Sequence, residues 1–186
     1  MNVQSQLHMD KPAFLAWAEG REGRFELVKG RIVMMTGGSR AHALIIGNVY
    51  AALRSRLDLK QWSIFADFGV DGGPDTLRYP DILVEAAGGD PKGCTTPAPI
   101  FIAEILSPSS VATDLGDKAA EYLRLPSLAA YLVHSQDEPK AWLWVRGVTG
   151  FPPGPQVIEG KDAAIRIAAL GVDLPLADIY AGVVTD

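Results

Sequence analysis

The stretch Pro99-Ile100-Phe101-Ile102-Ala103-Glu104-Ile105-Leu106 is the most apolar in the chain, and a carboxylate interrupts it. Apolar residues flank Glu104 on both faces of any strand drawn through it, so the segment reads as a central strand covered on both sides. Burying a carboxylate there costs several kcal/mol unless it is paired, protonated or bound to a metal. Glu104 is therefore either half of a buried ion pair with Lys or Arg, or a functional acid. The stretch is far too short to cross a bilayer.

The segments around it give an α/β chain with a mixed sheet and few helices. Residues 12–20 read as a short helix with Asp10 as N-cap and Gly20 as its stop. Residues 24–28 and 31–35 flank Lys29-Gly30 as a β-hairpin. Ser39 can cap a helix running to about Leu57, with Leu44, Ile45, Val49, Leu53 and Leu57 forming its apolar stripe. Strands are expected over 61–70, 77–85, 99–106, 128–134, 140–148 and 165–167, with a helix over 114–125 and a last helical turn at 176–180. Ser107-Pro108-Ser109-Ser110 breaks the central strand. No repeat or linker divides the sequence, so residues 1–186 read as one domain.

Charge narrows the class. The net charge of −5 argues against nonspecific coating of nucleic acid. Its distribution is uneven: residues 1–60 carry nine Lys and Arg against five acids, and residues 61–186 carry eight against seventeen. Such a balance suits local phosphate contact beside a collection of carboxylates, or ordinary surface variation. Cys94 is the only cysteine, which excludes an intrachain disulfide and a four-cysteine zinc site. No basic region followed by an apolar run opens the sequence, so a reducing cytoplasm and no membrane are the expectation.

Two further elements carry candidate chemistry. Asp81 lies in Arg78-Tyr79-Pro80-Asp81-Ile82-Leu83-Val84-Glu85, where a strand would put Asp81, Leu83 and Glu85 on one face. Pro80 equally suits an edge strand with Asp81 in solvent. Asp114, Lys118 and Tyr122 are spaced four apart and share one helical face. That helix could turn Lys118 toward the carboxylates, or Asp114 and Lys118 could form an exposed surface pair.

Tyr79-Pro80-Asp81, Phe101 through Ser110, and then Asp114, Lys118 and Tyr122 together resemble the Uma-type restriction endonucleases of the PD-(D/E)XK superfamily. The likeness extends to Phe25 through Gly30, to His42 with Gly47-Asn48, to Leu128 through Val133 and to Leu170 through Tyr180. It implies a central mixed sheet flanked by helices, with Asp81 and Glu104 on neighbouring strands as ligands of Mg²⁺, for which Mn²⁺ can substitute. The superfamily's usual lysine two residues after the glutamate is Leu106 here, which makes Lys118 the candidate cation. Glu26 is carried over as an additional metal-site acid and His42 as an active-site neighbour. A solvated strand glutamate and a satisfied, partly buried histidine are the plain alternatives. His134 stands where the family often has an acid.

The implied activity is metal-dependent hydrolysis of a phosphodiester, with DNA as the nucleic-acid partner and a homodimer favoured if both strands of a duplex are cut. A catalytically inactive nucleic-acid- or protein-binding module on the same fold is the alternative.

Overall fold

The computed structural model describes residues 8–107 and 113–184. A first helix, α1 (Lys11–Ala18), starts where the Asp10 carboxylate accepts the Ala13 N–H at 2.9 Å. It packs on the hairpin of β1 (Phe25–Val28) and β2 (Arg31–Met34), burying Phe14 against Leu27 and Leu77. Lys29 and Gly30 both have positive φ, as a two-residue hairpin turn requires. Next comes α2 (Arg40–Arg56), whose Ser39 side chain accepts the His42 N–H at 3.1 Å. Ile45, Val49 and Leu53 of the expected stripe are fully buried.

Seven strands follow: β3 (Trp62–Ala66), β4 (Gly69–Gly73), β5 (Thr76–Arg78), β6 (Ile82–Ala86), β7 (Thr95–Thr96), β8 (Phe101–Ile105) and, beyond the next helix, β9 (Ala130–His134). The chain between β8 and β9 re-enters at a π-helical turn (Thr113–Asp117) that runs into α3 (Lys118–Tyr122). The remainder is β10 (Lys140–Val145), β11 (Gln156–Glu159), β12 (Ala164–Ile167), β13 (Val172–Pro175) and α4 (Leu176–Ile179).

The described strands form two larger sheets, ordered β2-β1-β5-β4-β7 and β11-β10-β9-β8-β6-β3, and a two-stranded ribbon of β12 and β13. In the six-stranded sheet only β8 and β9 run parallel. All five residues of β8 are buried, as expected of a central strand. One sheet face packs on α2, the C-terminal ribbon and α4; the other packs on α3 through Leu83, Ile102, Tyr122, Tyr131 and Trp144. This is the expected mixed sheet with flanking helices. Among the described residues no helix is long and apolar enough to cross a membrane.

Several expected elements are divided. The strand expected over 61–70 breaks at Asp67, whose φ of 58° turns the chain from the six-stranded sheet into the five-stranded one. The strand expected over 77–85 likewise crosses back between sheets, through Tyr79-Pro80-Asp81. Asp81 therefore stands at a corner just before β6, not within a strand. The helix expected over 114–125 is shorter and opens with the wide turn. Strands β11 and β13 lie in segments for which no element is expected from the sequence. Pro108, Ser109 and Ser110, expected to break the central strand, lie outside the described residues.

Candidate active site

The pairing of β6 with β8 matches Ile82 to Ala103, Leu83 to Ile102 and Val84 to Phe101. One further step in that register sets Asp81 opposite Glu104. Directly opposed residues have Cβ atoms about 4.5–5.5 Å apart, so the corner before β6 brings two carboxylates together. Backbone hydrogen bonds fix both. The Ile105 N–H donates to Asp81 Oδ2 at 2.8 Å, and the Asp81 N–H points to Glu104 Oε2 at 3.4 Å.

Glu104 is 3% exposed. Its Oε1 accepts from Lys118 Nζ at 3.0 Å and from the Tyr122 hydroxyl at 3.2 Å, which turns Oε2 toward Asp81. Lys118 Nζ also stands 3.1 Å from Asp114 Oδ1, off the axis of a directed hydrogen bond, so that contact is Coulombic. Asp114, Lys118 and Tyr122 share one buried face, and the exposed surface pair considered from sequence is excluded. Burial pushes Glu104 up to about 8, opposed by the Lys118 charge and reinforced by Asp81 and Asp114. Burial disfavours the Lys118 charge as well, yet Glu104, Glu26 and Asp114 outweigh it and raise Lys118 above the ordinary lysine range. The 3.0 Å contact makes the ion pair the governing state, with Glu104 the less firmly held charge.

On the other side of Asp81, the first turn of α2 brings His42 Nε2 to 3.4 Å from Oδ2. The Asp81 contact raises His42 above 6.5, partly offset by burial. Gly38 makes this approach feasible, since a Cβ built on it would lie 2.4 Å from His42 Nδ1.

Glu26 is not the solvated strand residue considered from sequence. It is 4% exposed, with Oε2 accepting from Arg78 Nη1 at 2.9 Å and Oε1 from the Tyr79 N–H at 3.1 Å. Arg78 Nε also donates to Glu121 Oε2 at 2.8 Å, so one buried guanidinium joins β1, β5 and α3. Arg78 and Glu121 were not singled out from sequence. The available signal was an arginine inside the strand-like run Thr76-Leu77-Arg78 and a glutamate directly before Tyr122.

Glu26, Arg78, Asp81, Glu104, Asp114 and Lys118 all line one cavity of about 490 Å³, with His42 on its wall. Counted with Glu121 and with the Arg24–Asp67 pair on the cavity wall, six carboxylates among the described residues face three permanent cations, Arg24, Arg78 and Lys118. An excess of buried negative charge with hard oxygen donors fits a divalent cation of the Mg²⁺ type. Asp81 and Glu104 could hold it. Among the described residues no three His, Cys, Asp or Glu side chains stand together as a metal-holding group.

A family model named Uma2 and described as "Putative restriction endonuclease" matches residues 12–177. The chain belongs to the Uma2 family. The matched span contains every residue of the carboxylate site. Two proteins of Synechocystis sp. are similar to it. Uncharacterized protein slr1290 is 31% identical over 126 residues, covering 66% of this chain and 66% of that protein. Uncharacterized protein sll1609 is 27% identical over 128 residues, covering 66% of this chain and 72% of that one. Among solved structures, a protein from Anabaena variabilis titled "putative nuclease belonging to DUF820" superposes with a TM-score of 0.78 at 18% identity. It covers 95% of this chain and 99% of the other, so the Uma2 chain and that protein share a fold over nearly their whole lengths.

Proposed function

We propose that this Uma2 chain is a metal-dependent nuclease that hydrolyses DNA phosphodiesters. The observation that carries the reading is the opposed pair Asp81 and Glu104 within a buried, net-negative network, with Lys118 3.0 Å from Glu104 in the same cavity. Membership of a family described as "Putative restriction endonuclease" supports it.

Asp81 and Glu104 would hold Mg²⁺ or Mn²⁺, which when bound supplies charge neutralisation at the phosphate and a more acidic coordinated water. Lys118 presents a fixed positive charge to the phosphate, taking the place of the lysine that Leu106 does not supply. Tyr122 and Lys118 hold one oxygen of Glu104 and so orient the other toward Asp81. His42 and the Ile105 N–H orient Asp81 in the same way, as outer hydrogen-bond partners do at metal sites. Glu26 lines the cavity with both oxygens engaged, and its charge raises Lys118. A two-fold dimer would allow both strands of a duplex to be cut.

The test is incubation with supercoiled and single-stranded DNA in Mg²⁺ or Mn²⁺, beside an Asp81→Ala variant whose fold is checked by circular dichroism. Metal-dependent cutting that the variant lacks is expected. Absence of cutting by folded wild type on every substrate and metal, or equal cutting by the variant, would overturn the assignment.

A further inference from the structure

Beside the acidic cavity lies a smaller one of about 190 Å³, and the two share Arg24, Met35, Asp67 and Tyr79 as a common wall. Its other side is apolar and aromatic, with Phe14 and Phe25 as the large residues. We propose that this second cavity is a nucleobase pocket, which seats one base of the strand whose phosphate lies at Asp81 and Glu104. The proposal rests on the nuclease reading and adds to it a base-reading subsite.

Size is the first argument. Pockets for drug-sized ligands begin at about 300 Å³, so 190 Å³ suits a fragment of one flat ring system. The second argument is shape. Phe25 is held by Trp17 in a T-shaped contact at 4.9 Å, and Trp17 stacks on Phe14 at 6.2 Å. A ring held this way offers a fixed apolar face. Gly23 lines the pocket close to that ring: its φ of +108° disfavours any side chain, and a Cβ there would lie 3.1 Å from Phe25 Cζ.

The third argument is the polar edge. Arg24 and Asp67 form an ion pair, half exposed, on the wall common to both cavities. A guanidinium supplies donors and a carboxylate supplies acceptors, the complement of a base edge, which alternates both. Asp67 is set there by a left-handed backbone conformation uncommon outside glycine, at the bend that separates β3 from β4. The fourth argument is continuity. Tyr79 lines both cavities and is two residues from Asp81, so the chain between them reaches at most about 7 Å. A phosphate at Asp81 and a base against Tyr79 thus belong to one short piece of strand. An apolar amino-acid side chain would fit the rings as well, but it would present no polar edge to Arg24 and Asp67 and would not account for the shared wall.

The decisive experiment reads binding separately from cleavage. Met35 carries a methyl group on the common wall and is one of four methionines, so its ¹³C-methyl NMR signal reports the pocket directly. The protein is titrated with a single-stranded DNA oligonucleotide and with a base-free deoxyribose-phosphate strand of equal length and charge. The intact strand should shift the Met35 methyl and the base-free strand should not. Phe25→Leu should weaken the intact strand about tenfold or more, the loss of one base–aromatic stack, and leave the base-free strand unchanged. Met35→Trp, which fills the pocket from its rim, should act in the same direction if Phe25→Leu does not fold. Selective shifts in a protein that cuts nothing would uphold the pocket and sink the nuclease reading. Equal response of Met35 to both strands, response to neither, or unchanged affinity in both folded variants would overturn the pocket, whether or not the chain cuts DNA.

Discussion

Replacing Lys118 with methionine removes one positive charge and little volume, and its cost follows from what the ammonium touches. Nζ stands 3.0 Å from Glu104 Oε1 and 3.1 Å from Asp114 Oδ1, and the two carboxylate side chains are only 4% and 2% exposed. Breaking a buried pair from one side costs about 3–5 kcal/mol, because the stranded charge remains desolvated. For a chain of this size each kcal/mol moves the melting temperature by about 2–4 °C, so Lys118→Met should melt roughly 10 °C lower. Two additions sharpen the test. The triple variant Lys118→Met, Glu104→Gln, Asp114→Asn should recover most of the loss, since neutral partners need no counter-charge. Mg²⁺ should raise the melting temperature of Lys118→Met more than that of wild type, because a bound cation replaces the missing charge. Urea and thermal unfolding measure both. A single variant within about 1 kcal/mol of wild type would refute the claim that this lysine neutralises a buried acidic network.

Other expectations follow from the same geometry. Burial lowers His134 from 6.5 to about 3, and neither ring nitrogen has a partner among the described residues. The unfolded chain takes this proton near pH 6.5 while the folded one refuses it. Stability is therefore unaffected above 6.5 and falls below it by about 1.4 kcal/mol per unit, about 2 kcal/mol by pH 5. His134→Leu should flatten that slope in urea titrations at pH 7.5 and 5, and an unchanged slope would count against a neutral buried imidazole. Gly38→Ala should drive His42 off Asp81, given the 2.4 Å clash, and lower metal-dependent cleavage about 10–100-fold with little change in melting temperature. Undiminished cleavage would show that His42 does not orient Asp81. Arg78→Lys should destabilise the fold by about 2 kcal/mol or more, because an ammonium cannot reproduce the fork that joins Glu26 to Glu121. An unaltered unfolding midpoint would show that the triad does not tie α3 to the five-stranded sheet.

Much of this protein was legible without coordinates, for a definite reason. The caps at Asp10 and Ser39, the Lys29-Gly30 turn and the stripe of α2 are local features, decided by side chains a few residues apart. Glu104 stood out because a charge in an apolar strand is costly wherever the strand goes. Sequence could not decide between a structural pair and a functional acid at that position. The structure shows Glu104 paired with Lys118 and adjacent to Asp81 at once.

What only the tertiary structure decided is everything that depends on how distant segments cross. Asp67 and the Tyr79-Pro80-Asp81 corner carry the chain between two sheets, and hydrophobic alternation reads straight through both bends, because neighbouring residues remain apolar on either side. The union of Glu26, Arg78 and Glu121 joins positions 26, 78 and 121, and no short-range pattern records it. Residue types and local spacing thus singled out Asp81, Glu104 and the face of Asp114, Lys118 and Tyr122. The family resemblance added Glu26 and His42 and made Lys118 the candidate cation. The register of β6 against β8 and the packing of α3 on their sheet decided that Asp81, Glu104 and Lys118 share one cavity, because electrostatic partners are chosen in space.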